Sequence, residues 1–244
     1  MKKQEIEISG RKCLLYADEH PQALLIQTLG QQEHGSIDRE VELISHHTGK
    51  PFVMAAFCIN DWEAELTPWH DPAISKRQAV GEHAFDTLDY ITDSLIPYLH
   101  SRWSGEKASP TGGGVKGALP VILGGYSLGG LFARWAASKA EHFDAVTAVS
   151  PSLWICAWRD FSDAHGVYAR YIYLSLGDRE EFTKSRAIAQ VGDNIRWEYE
   201  HLKQTLGPDH TTLEWNPGNH FMNAAERTAR GFSWCIEKVQ SPEK

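Results

Sequence analysis

The sequence is poor in cysteine, and its cysteines are not spaced like a disulfide framework or a zinc site. The four cysteines, Cys13, Cys58, Cys156 and Cys235, stand far apart and form no C-x-x-C pair. In a chain of 244 residues this pattern favours free thiols in a reducing compartment. The N-terminal residues also lack the apolar segment of a secretory signal peptide. We therefore expect a cytoplasmic protein.

Long apolar runs and an excess of positive charge are missing as well. No apolar run reaches the length that spans a membrane. The formal net charge is −8 at pH 7, which argues against nucleic acid and against an anionic membrane surface as partners. The sequence predicts no oligomeric state.

The sequence also lacks the spacings of metal and phosphate sites. His46, His47 and His70 could supply metal ligands, but no second cluster stands at ligand spacing. The glycine-rich segment 112–117 is not followed by the Gly-Lys-Ser/Thr of a phosphate-binding loop. We therefore predict neither a metal nor a cofactor.

The apolar pattern predicts an α/β fold. Residues 52–59 form a nearly continuous apolar run, which is typical of a strand buried on both faces. Apolar residues recur at three- and four-residue steps over 84–103 and predict a helix, which Pro97 should kink or shorten. Alternating strand and helix patterns in the middle and end of the chain predict a mostly parallel sheet with helices on both faces.

The N-terminal part differs from this alternation. Strand patterns at 4–9, 12–16 and 23–28 are separated by short turns and predict an antiparallel start to the sheet. Neither an internal repeat nor a linker-like break interrupts the sequence, so we predict a single domain over 1–244.

The sequence G-x-S-x-G at residues 125–129 is the feature most indicative of chemistry. It lies between an apolar strand pattern at 121–123 and a helix pattern at 128–140. In that context it predicts a nucleophile elbow, a tight strand-to-helix turn that presents the Ser127 hydroxyl above the sheet. The glycines are needed because the two backbones crowd where Cβ atoms would lie.

Two further residue types complete a catalytic set, each after a predicted strand. Asp178, Glu180 and Glu181 follow one strand, and His220 follows the last. The carboxyl ends of parallel strands meet at one sheet edge. The order Ser, acid, His is that of an α/β-hydrolase. A serine hydroxyl needs an imidazole to accept its proton, and the imidazole needs a carboxylate on its other nitrogen. The pattern itself leaves the choice of carboxylate open.

The remaining site predictions concern backbone donors and cavity walls. The Leu128 N–H should help to bind an oxyanion, with a second N–H from the loop after 52–59, for which we select Asn60. Aromatic side chains are common walls of small-molecule sites. We predict that the following residues contact substrate: Trp62, Trp69, Tyr126 and Trp154.

Three segments carry a resemblance to a known family. Residues 125–133, 174–181 and 216–221 resemble the esterase branch of the α/β-hydrolase superfamily, which includes enterobactin-type siderophore esterases, feruloyl and acetyl-xylan esterases, S-formylglutathione hydrolase and mycolyltransferases. The segment 60–69 also resembles bacterial members of that branch. The resemblance implies an α/β-hydrolase fold and, given the short chain, a minimal cap.

The resemblance also implies a reaction and an acid. Related enzymes place the acid three residues after a strand-ending glycine, which gives Glu180, with Asp178 as the alternative. The implied activity is hydrolysis of a carboxylic ester of a small molecule through an acyl-enzyme on Ser127. Acyl transfer by the same residues and a non-catalytic binding protein of this fold are the alternatives.

Overall fold

A computed structural model describes residues 1–30, 34–74, 81, 83–104 and 118–241. In this part of the chain eight strands form one sheet in the order β1-β2-β4-β3-β5-β6-β7-β8. The strands are β1 (Lys2–Ile8), β2 (Arg11–Ala17), β3 (Leu24–Leu29), β4 (Val53–Cys58), β5 (Val121–Tyr126), β6 (Ala145–Val149), β7 (Tyr171–Gly177) and β8 (Thr211–Asn216).

Helices cover both faces of this sheet. They are α1 (His34–Thr48), α2 (Trp62–Leu66), α3 (Ala84–Tyr90), α4 (Ile96–Trp103), α5 (Leu128–Ala136), α6 (Trp158–Ala164), α7 (Arg186–Ala189), α8 (Val191–Leu206) and α9 (Ala224–Gln240). Buried apolar side chains form two clusters, one on each face, because neighbouring strand residues such as Leu24 and Leu25 point to opposite sides. Phe132 and Ile195 belong to one cluster and Phe232 to the other. The predicted α/β architecture with helices on both faces is confirmed.

The predicted antiparallel start is confirmed for two strands and wrong for the third. β1 pairs antiparallel with β2, and β2 with β4. β3 instead lies parallel to both β4 and β5. The reason is the α1 crossover between β3 and β4, since a helix that long returns the chain in the same direction. Consequently β3, and not β4, is the neighbour of β5.

The helix predicted over 84–103 is present but changes its winding at Pro97. A π-helical turn, Ile91–Leu95, joins α3 to α4, and Pro97 stands in the first turn of α4. Proline has no N–H to donate and its ring crowds the carbonyl four residues earlier, so a wider turn accommodates it.

The helix that follows Ser127 is fixed by a buried ion pair. Arg134 of α5 donates from Nε to Glu198 of α8 at 2.6 Å, and both side chains are fully buried. Trp158 of α6 donates from its indole N–H to the other oxygen of Glu198. These contacts tie α5, α6 and α8 into one layer below the carboxyl edge of the sheet. Among the described residues no helix has the length and hydropathy to cross a membrane.

Candidate active site

Ser127 occupies a sharp turn between β5 and α5. Its backbone has φ 58° and ψ −119°, a left-handed conformation that costs free energy in a residue with a Cβ. The Ser127 N–H donates to the Val149 carbonyl at 3.0 Å, which holds the turn against β6. A Cβ at Gly125 would lie 2.4 Å from the Gly129 carbonyl carbon, and one at Gly129 would lie 2.5 Å from Thr28 Oγ1. Close backbone approach therefore requires the glycine at 125, and contact with the Thr28 side chain requires the one at 129.

Three side chains form a hydrogen-bonded series at this edge of the sheet. His220 Nε2 lies 3.0 Å from Ser127 Oγ, and His220 Nδ1 lies 2.7 Å from Glu180 Oε2. The three residues follow β5, β8 and β7, which are all parallel. A proton can pass from the hydroxyl to Nε2 while the carboxylate stabilises the resulting imidazolium.

The other oxygen of Glu180 is fully engaged. Oε1 accepts hydrogen bonds from Ser150 Oγ at 2.7 Å, from the Gly177 N–H at 2.7 Å and from Arg227 Nη1 at 3.0 Å. Burial by itself would raise the pKa of Glu180, but the hydrogen bond and charge of His220, with the bonds from Ser150 and Gly177, hold that pKa below its usual value of 4.5. Glu180 is therefore an ionised carboxylate at neutral pH.

The two neighbouring carboxylates have other partners. Asp178 Oδ1 accepts from the Gly218 N–H at 2.8 Å, so it braces the loop before His220 and does not reach the imidazole. Glu181 forms an ion pair with Arg196 at 2.6 Å. The alternative acid Asp178 is thus wrong, because the tight turn after β7 directs its side chain to the loop backbone. Glu180 is the carboxylate hydrogen-bonded to the His220 ring.

No family model and no curated protein matches this sequence. Solved structures do match. An IroE-like serine hydrolase from Shewanella oneidensis has a TM-score of 0.72 at 14% identity, over 98% of this chain and 82% of that one. The siderophore hydrolase EstB from Aspergillus nidulans has a TM-score of 0.69 at 18% identity, over 99% and 96%. The enterobactin esterase FES from Shigella flexneri has a TM-score of 0.64 at 15% identity, over 98% and 60%.

The chain has the α/β-hydrolase fold. Residues 150–170 between β6 and β7 carry the short helix α6 and little else, which agrees with the expected minimal cap.

The fold corrects the prediction for the second oxyanion donor. In α/β-hydrolases that donor comes from the loop after the third strand. Here the third strand is β3, which lies beside β5, whereas β4 is one strand further away. The Asn60 N–H already donates to Glu65 Oε1 at 3.0 Å. Asn60 is therefore not the donor, and the expected loop begins at Gly30, with residues 31–33 outside the described part of the chain. The Leu128 N–H stands in the first turn of α5, where amides have no intrahelical acceptor.

Tyr126 contacts the loop that carries His220. Its hydroxyl donates to the His220 carbonyl oxygen at 2.5 Å, and the two rings lie 5.2 Å apart. Burial raises the pKa of this phenol, so it remains a neutral donor. Tyr126 was predicted to contact substrate; its placement instead lets it orient His220.

The three tryptophans of the predicted substrate wall have different positions. Trp154 lines the cavity that contains Ser127. Trp62 packs on the apolar core near Gly129. Trp69 stacks on Trp158 at 6.3 Å and donates its indole N–H to the Cys156 carbonyl, so it fastens the segment after α2 rather than lining that cavity.

The cavity beside Ser127 has a volume of about 350 Å³. Its walls hold the polar series described above and several apolar side chains, of which Phe221 is 89% and Phe182 is 78% exposed. Large apolar side chains left this exposed at a cavity mouth are typical of a binding surface. Within the described residues no group of three or more His, Cys, Asp and Glu side chains could hold a metal ion.

Arg227 is the functional neighbour that sequence reasoning missed. This fully buried residue of α9 donates to Glu180, and its Nη2 donates to the carbonyls of Pro217 and Asn219, both at 3.1 Å. It therefore joins the acid to the loop that carries His220. The sequence did contain an indication of this role. Arg227 lies on the buried face of α9 with Gly231 and Cys235, at four-residue spacing, and a charged side chain on a buried helix face is expected only where it has partners.

Replacing Arg227 with glutamine should destabilise the protein and make it more sensitive to acid. Removing one partner of a buried ion pair costs about 3 to 5 kcal/mol. Loss of the cation also raises the pKa of Glu180 in the folded state. In the folded parent protein the pKa of Glu180 lies below its unfolded value of about 4.5. Ionisation of Glu180 therefore stabilises the folded state above the unfolded pKa, and this stabilisation is lost as the pH falls through the folded pKa. The midpoint of acid unfolding, followed by circular dichroism, should therefore move to higher pH.

Arg230→Gln is the matched control on the same helix. Arg230 is half-exposed and donates to Glu214 and to the buried Asn216, so its loss should cost about 1 to 2 kcal/mol in urea unfolding, less than that of the fully buried Arg227. Equal effects of the two substitutions on unfolding would contradict the role given to Arg227.

Proposed function

We propose that this protein is a serine hydrolase of carboxylic esters, with Ser127 as nucleophile, His220 as general base and acid, and Glu180 as the residue that orients and stabilises His220. The observation that carries the proposal is the hydrogen-bonded series Glu180–His220–Ser127, which opens into a cavity with apolar walls. The names of the structural neighbours, serine hydrolase and esterase, support the same reaction class.

The geometry suits a two-step acyl transfer to water. Ser127 Oγ attacks the ester carbonyl carbon while His220 Nε2 accepts the hydroxyl proton. The Leu128 N–H donates to the oxyanion that forms. His220 then gives its proton to the departing alkoxide, and the acyl group remains on Ser127. In the second step a water molecule attacks the acyl-enzyme as His220 Nε2 accepts one of its protons. The bond between the acyl carbon and Ser127 Oγ then breaks, His220 returns the proton to Ser127 Oγ, and the acid product leaves.

The proposed substrate is a small-molecule ester, and the proposed location is the cytoplasm. The cavity volume of about 350 Å³ is within the range of small-molecule sites. All four cysteines are unpaired, which supports a reducing environment.

A fluorophosphonate probe tests the proposed nucleophile directly. We expect one probe per chain, mapped to Ser127 by peptide mass spectrometry, because phosphonylation requires an activated serine. Heat-denatured protein should not react. Folded protein that stays unlabelled, or is labelled at another serine, would favour a non-catalytic binding protein. For an active enzyme, product analysis with added alcohols distinguishes hydrolysis from acyl transfer.

A further inference from the structure

We propose that Arg179 is an anion-binding residue of the Ser127 cavity and that the preferred ester carries a negatively charged group. This inference rests on the proposed function and adds the chemical class of the substrate to it. The ester should combine an apolar portion with a carboxylate or another anion near the scissile bond.

The first observation is the charge balance of the cavity wall. Arg179 and Glu180 are the lining residues whose side chains are charged at neutral pH, and the wall also contains the imidazole of His220. Glu180 is buried, and its charge is compensated by Arg227 at 3.0 Å and by the hydrogen bond to His220. Arg179 is exposed, and no described carboxylate lies close enough to compensate its charge. The wall therefore presents a net positive charge although the whole chain has a net charge of −8.

The second observation is that the Arg179 guanidinium has no partner among the described residues. No described carboxylate lies within ion-pair distance of it, and it donates no side-chain hydrogen bond among residues 1–30, 34–74, 81, 83–104 and 118–241. Neighbouring arginines differ: Arg196 pairs with Glu181, and Arg227 with Glu180. In an acidic protein, a cation that no described residue pairs, at the cavity that holds the reactive serine, is available to a ligand.

The third observation is that the backbone of Arg179 is fixed close to the reacting atoms. The Arg179 N–H donates to the Gly218 carbonyl at 3.1 Å, in the loop that carries His220. The next residue is Glu180. An arginine on this tight turn therefore projects from a rigid position, and a guanidinium can bind a carboxylate through two hydrogen bonds.

The fourth observation concerns the other walls of the same cavity. Phe182, Ile188 and Phe221 line it and are 78%, 37% and 89% exposed. Covering these side chains favours a ligand with an apolar or aromatic body. A neutral apolar ester would leave Arg179 unused, and a small polar anion would leave the phenylalanines exposed. An ester with both features contacts both kinds of wall.

Two ester pairs test the proposal, because the charge could lie in the acyl or in the alcohol part. The first pair is mono-4-nitrophenyl glutarate against 4-nitrophenyl pentanoate, and the second is 4-carboxyphenyl butyrate against 4-methylphenyl butyrate. We expect the charged member of at least one pair to have a kcat/KM about tenfold higher. Arg179→Gln should remove that preference by lowering kcat/KM for the charged member about tenfold, since the charge-assisted hydrogen bonds of the guanidinium to the anion are lost. Arg179→Glu should reverse it.

Lys184→Gln is the matched control, because it removes a positive charge from the same loop at a residue that does not line the cavity. The Lys184→Gln variant should keep the preference for the charged ester. Equal effects of Arg179→Gln on both members of each pair, or no preference in either pair, would overturn the proposal while leaving the esterase function intact.

If no ester is turned over, the proposed function fails, and binding still tests Arg179. Isothermal titration calorimetry with the Ser127→Ala protein compares the charged and the neutral ester of each of the two pairs. Tighter binding of the charged ester by about tenfold in at least one pair, lost in the Ser127→Ala, Arg179→Gln double variant, supports the anion site. Equal dissociation constants within both pairs overturn it.

Discussion

Ser127→Ala should lower kcat for 4-nitrophenyl acetate by about 10⁴- to 10⁶-fold. The substitution removes the atom that lies 3.0 Å from His220 Nε2 and would form the acyl-enzyme. His220 can still activate water, but without the covalent intermediate the reaction loses its easier two-step path. The measurement is steady-state release of 4-nitrophenolate from purified variant and parent proteins at the same concentration.

Ser127→Gly separates loss of chemistry from loss of folding. Alanine keeps the strained backbone at φ 58°, whereas glycine adopts it readily. The glycine variant should therefore be as inactive as the alanine variant but more stable than it by about 1 kcal/mol. An inactive protein with a raised melting temperature cannot have lost activity by unfolding. Turnover within tenfold of the parent in either folded variant would contradict the assignment of the nucleophile.

The nucleophile turn could be predicted from sequence because its requirements are local. Gly125 and Gly129 are needed by contacts made within five residues or across one neighbouring strand, and the strand and helix patterns flank them directly. The order of Ser127, the carboxylates and His220 along the chain is also readable, since each follows a strand whose pattern is clear. Both features can be predicted from the local sequence pattern, without knowledge of how the strands and helices pack.

The choice among three carboxylates needed the folded turn. One short turn contains Asp178, Glu180 and Glu181. The sequence pattern therefore does not indicate which of the three side chains points toward His220. The turn is compact at Gly177, where a Cβ would lie 2.4 Å from the Gly218 carbonyl oxygen. That close approach of the β7 and β8 ends points Glu180 inward to His220. The resemblance to known esterases had favoured Glu180, but the residues alone did not.

Strand order was the main feature of the fold that could not be predicted from the sequence. The strand predicted at 23–28 was expected to continue an antiparallel start, yet Leu24–Leu29 forms β3 between β4 and β5. Apolar patterns report burial, and β3 is buried on both faces like β4, so the pattern could not say which strand is the neighbour of β5. The wrong neighbour led to the wrong oxyanion loop and to Asn60. Arg227 was missed for a related reason, since its partners lie 47 and 10 residues away in the chain.

Glu180→Gln should lower kcat by about 10²- to 10⁴-fold, for a reason set by the contacts of the carboxylate. At Oε1 three donors converge, from Ser150, Gly177 and Arg227. A glutamine there must turn its carbonyl oxygen to those donors, which places its NH₂ group against His220 Nδ1. His220 then has to accept on Nδ1 and carry its proton on Nε2. In that tautomer Nε2 cannot accept the proton of Ser127.

The rate of fluorophosphonate labelling at Ser127 provides the second readout for Glu180→Gln and should fall in parallel with kcat. The substitution leaves the buried Arg227 without a carboxylate, so activity is compared at a temperature where circular dichroism shows the variant folded. Glu181→Gln is the matched control, because it changes the adjacent carboxylate, which pairs with Arg196 and not with His220. It should retain kcat within about twofold, since a partly exposed ion pair contributes little. If Glu180→Gln instead retained kcat within tenfold of the parent, Ser127 and His220 would act as a dyad, and Glu180 would serve to hold Arg227 and the His220 loop in place.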